Sequence, residues 1–268
     1  MRVLFLGDIV GKPGRKAVLQ KLPGLRQALD VDVVVANGEN ASGGIGLTKK
    51  NAFQLLGADI DVLTSGNHVW KHRDIFPVLD SEKRLLRPAN YPPGVPGQGV
   101  GVYAAGNGTM AVINLLGRTF MGQVDCPFRT ADQILRRLEP ETRVILVDFH
   151  AEATSEKKAL AYYLQDRVSA VLGTHTHVQT ADSTILGDGT AFITDAGMCG
   201  PEDSVIGMKT EGIVKRFVTG LPQHFEVASG RVVLQGVFLD IDMATGKAQS
   251  IQALNRQVDG HVSCSGDE

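Results

Sequence analysis

Short apolar runs punctuate the chain: Val3 to Leu6, the valine-rich stretch from Asp32 to Ala36, Ile60 to Leu63, Met110 to Leu115, Val144 to Val147, and Val168 to Leu172. Periodicity alone cannot separate runs this short from buried helix. Their bounding turn residues, such as Gly7 and the Gly11-Lys12-Pro13-Gly14 turn, favour strands. Asp32 to Ala36 lacks any polar alternation, as expected of a parallel strand covered on both faces. Between the runs the spacing turns helical. Arg15 to Leu29 places Val18, Leu19, Leu22, Leu25 and Leu29 on one face, with Pro23 expected to break or bend it. Thr48 is the predicted N-cap of a helix through Leu56 that Gly57 closes. Further helices are predicted over Thr130 to Leu138, stopped by Glu139-Pro140, and over Ser155 to Gln165.

Leu85 to Gly101 is rich in Pro and Gly and predicts an irregular connection. Beyond residue 180 the pattern becomes that of hairpins. Ser183 to Leu186 and Thr190 to Thr194 flank Gly187-Asp188-Gly189, and Ser229-Gly230 would join His224–Ala228 to Arg231–Ile241. The order predicts an α/β protein whose sheet changes from parallel to mixed. A single domain over residues 1–258 is expected, with a small embedded subdomain near 72–108, and Asp259 to Glu268 as a disordered tail.

Composition narrows the partners. The chain has 268 residues, 43% hydrophobic and 21% charged, and a formal charge of −2, so nothing draws it electrostatically to nucleic acid or anionic membranes. It carries no basic, aromatic-rich stripe, which counts against a purely RNA-binding role. Cys126, Cys199 and Cys264 are odd in number and widely spaced, which suits a reducing cytoplasm rather than a disulfide framework. No apolar run approaches the length of a membrane span.

The chemistry lies where the predicted strands end. These ends carry Gly7-Asp8, Gly38-Glu39-Asn40, Gly66-Asn67-His68, Asp148-Phe149-His150 and Gly173-Thr174-His175-Thr176-His177. In extended backbone His175 and His177 would share a face and converge on one point. Open α/β sheets bind ligands beyond the carboxyl ends of their strands. Asp8, Glu39, Asn67, His150, His175 and His177 form a mixed oxygen and nitrogen donor set without thiolate. That set is too large for one tetrahedral zinc and too rich in histidine for magnesium or calcium. Two ions of iron, manganese or zinc fit it, bridged by the carboxylate of Glu39 or Asp8. Competing readings are weaker. Gly7 to Lys12 is one residue short of a P-loop and lacks the Ser/Thr after Lys. Ser42 to Gly46 reads as a tight turn before a helix, His72, His224 and His261 as unaccompanied histidines, and Cys199 as a small buried hydrophobe or the nucleophile of a Cys-His enzyme.

In this order the motifs resemble the calcineurin-type metallophosphoesterase superfamily. The fuller phrases Gly7-Asp8-Ile9-Val10-Gly11, Asn37-Gly38-Glu39-Asn40, the run from Asp148 to Lys157, and Asp203-Ser204-Val205-Ile206-Gly207 are similar to its bacterial YmdB branch. The resemblance implies a double β-sheet sandwich flanked by helices, in four layers α/β/β/α. It also implies a phosphodiesterase acting on a small-molecule phosphodiester such as a 2′,3′-cyclic nucleotide, with homo-oligomeric assembly left open. Carried over, Asp8, Asn40 and His177 would hold one ion, Asn67, His150 and His175 the other, and Glu39 both. His68 would be the general acid opposite a metal-bound hydroxide. Two departures from the wider superfamily stand out. Asp8-Ile9-Val10 lacks the histidine of the usual Asp-x-His, and Asn40 is the expected replacement; Gly38-Glu39 stands where Gly-Asp is usual. A metal-binding regulatory or RNA-interacting protein with secondary hydrolytic activity is the rival expectation.

Overall fold

Each buried apolar run forms a strand, and alternate residues of these strands face two different cores. The computed structural model of the chain describes residues 1–138 and 142–258. In chain order these form β1 (Arg2–Leu6), β2 (Asp8–Ile9), α1 (Gly11–Ala28), β3 (Val33–Asn37), α2 (Lys49–Leu56), β4 (Val62–Thr64), α3 (Phe76–Ser81), β5 (Val100–Ala105), β6 (Gly108–Leu116), α4 (Pro127–Leu138) and β7 (Val144–His150). There follow α5 (Thr154–Leu164), β8 (Ala170–Thr174), β9 (Thr184–Leu186), β10 (Thr190–Ile193), β11 (Met198–Pro201), α6 (Thr210–Thr219), β12 (Val232–Ile241) and β13 (Ala248–Val258). One sheet runs β2-β11-β12-β1-β3-β4, with β13 along the other edge of β12; the second runs β5-β6-β7-β8-β10-β9. Both are mixed, with β1, β3 and β4 parallel in the first and β6, β7, β8 and β10 parallel in the second.

The sheets pack face to face. Val3 and Phe5 of β1, Val33 and Val35 of β3, Val112 of β6, Leu146 of β7 and Leu172 of β8 share the core between them. The intervening residues Leu4, Leu6, Val34 and Ala36 face outward under α1 and α2, against Val18, Leu22, Ala52 and Leu55. On the far side Ile113, Leu115, Val147 and Phe149 pack under α4 and α5 through Leu135, Leu138, Leu160 and Leu164. The four-layer sandwich therefore follows from strands that are apolar on both faces. No helix among the described residues is long and apolar enough to cross a membrane.

Several expectations change in detail. Pro23 lies within a continuous α1, where its ring is exposed while Leu22 and Val18 stay buried. Thr48 caps α2 as predicted, accepting from the Asn51 amide at 3.4 Å, and Ser42 accepts from the Thr48 amide at 2.9 Å, so residues 42–46 are the turn into that helix. Residues 224–228 do not form a hairpin arm. Val227 makes one isolated bridge to Met208, while β12 pairs antiparallel with β1, β11 and β13. The expected helix stop at Glu139-Pro140 and the tail from Asp259 lie outside the described residues.

Candidate metal centre

Strands β3, β4, β7 and β8 all run out toward one place, and the side chains at their carboxyl ends meet there. Glu39, fully buried, accepts from the His150 ring, with Nε2 3.0 Å from Oε1. Its other oxygen accepts from the His68 amide at 3.1 Å. His150 Nε2 also lies 3.1 Å from His175 Nδ1. Among the His, Cys, Asp and Glu side chains of the described residues, Glu39, His150 and His175 place ligand atoms within 4.8 Å of one another. A second group adjoins it. Asp8 Oδ1 is 3.6 Å from His177 Nε2, and the Asn40 amide nitrogen lies 3.1 Å from both His177 Nε2 and Glu39 Oε1 and 3.5 Å from Asp8 Oδ1.

Asn67 belongs to the same place. Gly66 beside it packs so closely that a Cβ there would overlap the His150 ring and the Glu39 carboxylate. Asn67 Oδ1 is buried with no hydrogen-bond partner, a costly state for a carbonyl oxygen and one that a cation would relieve. His68, 35% exposed in its side chain, sits at the open side with Nδ1 2.8 Å from Asn40 Oδ1 and 3.2 Å from Glu39 Oε1. Seven of the eight residues picked from the sequence therefore touch one another at one site, and Asn67 follows Gly66 at its edge.

Positive charge is what this cluster asks for. Burial opposes ionisation of His150, yet Glu39 and Asp8 outweigh it and hold its pKa up at about 9. Burial likewise disfavours the Glu39 carboxylate, but His150 and His68 hold it ionised well below the usual range. Asp8 is also lowered, with His177 outweighing burial. His175 is pushed down to about 3 by burial and by the His150 charge, and is a neutral donor. The Asn40 amide nitrogen faces the same acceptors a cation would face, so Asn40 would have to turn its carbonyl oxygen, now 2.8 Å from His68 Nδ1, onto an ion held there.

Other residues fix the ring orientations. Thr174 Oγ1 donates to the buried Asp148 at 2.7 Å and so accepts from His150 Nδ1 at 2.9 Å, which aims Nε2 at the cluster. Burial raises Asp148 to about 6. His177 Nδ1 donates to the Ile206 carbonyl at 2.9 Å, which aims its Nε2 at Asp8 and Asn40. Ile206 has φ 48, a strained value for a β-branched residue, inside the Asp203–Gly207 turn. The convergence of His175 and His177 is not that of an extended strand. β8 ends at Thr174, and both histidines have left-handed backbone, φ 100 and φ 64. Asp195 pins the intervening Thr176 through its amide at 3.1 Å and hydroxyl at 2.7 Å, and is itself paired with the buried Lys157 at 2.8 Å. Asp148, Thr174, Asp195 and Lys157 were missed by reasoning from the sequence. Asp148 left a signal, a carboxylate two positions before His150 in an otherwise apolar strand. The thiol alternative fails, because burial pushes Cys199 up to about 12.

Known proteins resemble this chain in sequence and fold. A family model described as YmdB-like protein matches residues 4–254. The chain belongs to the YmdB-like family. A relative from Bacillus subtilis (strain 168), named 2',3'-cyclic-nucleotide 2'-phosphodiesterase, is 49% identical over 254 residues, covering 95% of this chain and 96% of that protein. The crystal structure of a hypothetical protein from Thermus thermophilus superposes with a TM-score of 0.90 at 43% identity, covering 96% of this chain and 99% of that one. A Mycoplasma pneumoniae structure described as a novel phosphatase gives the same TM-score, 0.90, at 35% identity, covering 96% and 93%. The YmdB-like fold is thus the double-sheet sandwich described above.

Proposed function

We propose that this phosphoester hydrolase opens 2′,3′-cyclic nucleotides at a pair of metal ions. Asp8, Asn40 and His177 would hold one ion, Asn67, His150 and His175 the other, and Glu39 both. The observation that carries this reading is the donor cluster itself, with its orphaned Asn67 oxygen. Mixed imidazole, carboxylate and amide donors suit iron or manganese, and admit zinc. When bound, such a pair activates water and neutralises phosphate oxygens. The substrate class is taken from the Bacillus subtilis relative, and the cytoplasm remains the expected setting.

The chain's own residues do the rest. Thr174 and the Ile206 carbonyl hold His150 and His177 as Nε2 donors, which keeps the ligand field in place before substrate arrives. A departing ribose oxygen is a poor leaving group and needs a proton. His68 is tied at Nδ1 to Asn40 and Glu39, which leaves Nε2 to deliver that proton from the open side. Turnover of 2′,3′-cyclic AMP by the metal-loaded protein tests the reading. Glu39→Gln should lose both activity and bound metal, since an amide supplies no bridging charge. Full metal content with normal turnover in that variant would sink it.

A further inference from the structure

Beside the metal-ligand cluster stands a loop built with more care than a connection requires. Residues 117–124 lie in the connection from β6 to α4, and the residues flanking them are held by Asn90, which is 1% exposed. The Asn90 side chain donates to the carbonyls of Leu116 at 2.7 Å and Asp125 at 2.9 Å and accepts from the Leu116 amide at 2.8 Å. Its backbone carbonyl accepts from the Asp125 amide at 2.8 Å. Glu156 supports the loop from below, accepting from the amides of Arg118 at 3.0 Å and Thr119 at 3.0 Å. The Gly117 amide donates to the His150 carbonyl at 3.0 Å, so the loop starts on the residue that also faces Glu39.

At its tip this rigid frame holds Phe120, 89% exposed, the most exposed large hydrophobic side chain among the described residues. Its φ is 63, a left-handed conformation that disfavours an aromatic residue. An apolar ring held in water on strained backbone gains nothing for the fold, and such strain persists where the ring has something to meet. Phe120 follows Gly117 closely in the chain, so its Cα lies within about 11 Å of that residue's Cα. Tyr91, next to Asn90, packs on Trp70 with ring centroids 5.2 Å apart, and Trp70 is two residues from His68.

We infer that residues 117–124 form a nucleoside-binding loop in which Phe120 stacks on the base of the cyclic nucleotide whose phosphate lies at the metal centre. This rests on the proposed substrate class. Both ends of the loop and its base are fixed before binding, so stacking needs little further ordering. A base offers a flat apolar face whatever its identity, which makes the subsite selective for nucleotides over other phosphodiesters without selecting a sequence.

The test compares 2′,3′-cyclic AMP with ribose 2′,3′-cyclic phosphate, which lacks the base, in the metal-loaded wild type, Phe120→Ala and Phe120→Trp. The wild type should prefer the nucleotide. In Phe120→Ala the ratio of the two kcat/KM values should fall about tenfold, chiefly through KM for the nucleotide, as expected for loss of one base–aromatic stack. Phe120→Trp should restore the ratio, and its indole emission should change on nucleotide binding. An unchanged ratio in Phe120→Ala, or a wild type indifferent to the base, overturns the subsite and leaves the phosphodiesterase reading standing. A wild type that hydrolyses neither compound overturns the proposed function and the subsite with it.

Discussion

Glu39 and Asp8 favour the protonated form of His150 in the metal-free protein, and the sign of the resulting pH dependence can be worked out. The His150 pKa is raised from 6.5 to about 9, because Glu39 and Asp8 outweigh its burial. A raised histidine contributes stability that is complete below the unfolded value and is lost as pH climbs through the folded one. Chelator-stripped protein should therefore lose thermal stability between about pH 6.5 and pH 9. The metal-loaded form should not follow it, since a ligating imidazole is already neutral. Melting curves of both forms across that range check this, and parallel curves would contradict it. Asn40→Ala gives a second residue-level test. It should lower the bound metal by one ion per chain in elemental analysis, and unchanged stoichiometry would return Asn40 to an ordinary loop role. His68 is separated from a scaffold by its leaving group. His68→Ala should slow cyclic nucleotide hydrolysis by roughly 10²–10⁴-fold, and slow a nitrophenyl diester far less, because a phenolate scarcely needs the proton. Equal losses on both substrates would make His68 a support of the site.

Loops, more than strands, aim the histidines at this cluster. Left-handed backbone at His175 and His177 is held by the Asp195 carboxylate bound to Thr176, with Lys157 of α5 buried against it. Lys157→Met strands Asp195 as an unpaired buried charge and should cost about 3–5 kcal/mol of stability together with metal affinity. Denaturant titration reads the first and elemental analysis the second; a change within about 0.5 kcal/mol, the range of neutral surface substitutions, would exclude the role. The same contrast explains what the sequence reveals at this scale. Strands apolar on both faces, such as β1, β3, β7 and β8, announce themselves, and so do the polar residues where they stop. β11 does not, because Met198–Pro201 reads locally as a glycine-proline turn and is a strand only through pairing with β2 and β12. α6 buries one residue, Ile213, and leaves Val214, Phe217 and Val218 exposed, so its apolar positions do not mark a buried face. Asp195 and Lys157 lie far from the histidines in sequence, and only the tertiary fold makes them partners.

At the scale of the whole molecule, two mixed sheets meet across one core, and the ends of β3 and β4 from the first face those of β7 and β8 from the second. Glu39 reaches His150 across that seam, so the site joins the two sheets and neither sheet holds it alone. The residues that gather at the cluster were legible because each lies at or just beyond the end of a strand. Which of them become neighbours was not, since spacing along a sequence says nothing of which strand ends meet. The proposed centre is tested most directly by adding manganese or iron stepwise to chelator-stripped protein while following 2′,3′-cyclic AMP hydrolysis and bound metal together. Two ions per chain should be required, with turnover rising as the second binds. Full turnover in the stripped protein, or at saturation with a single ion, would contradict the two-metal account.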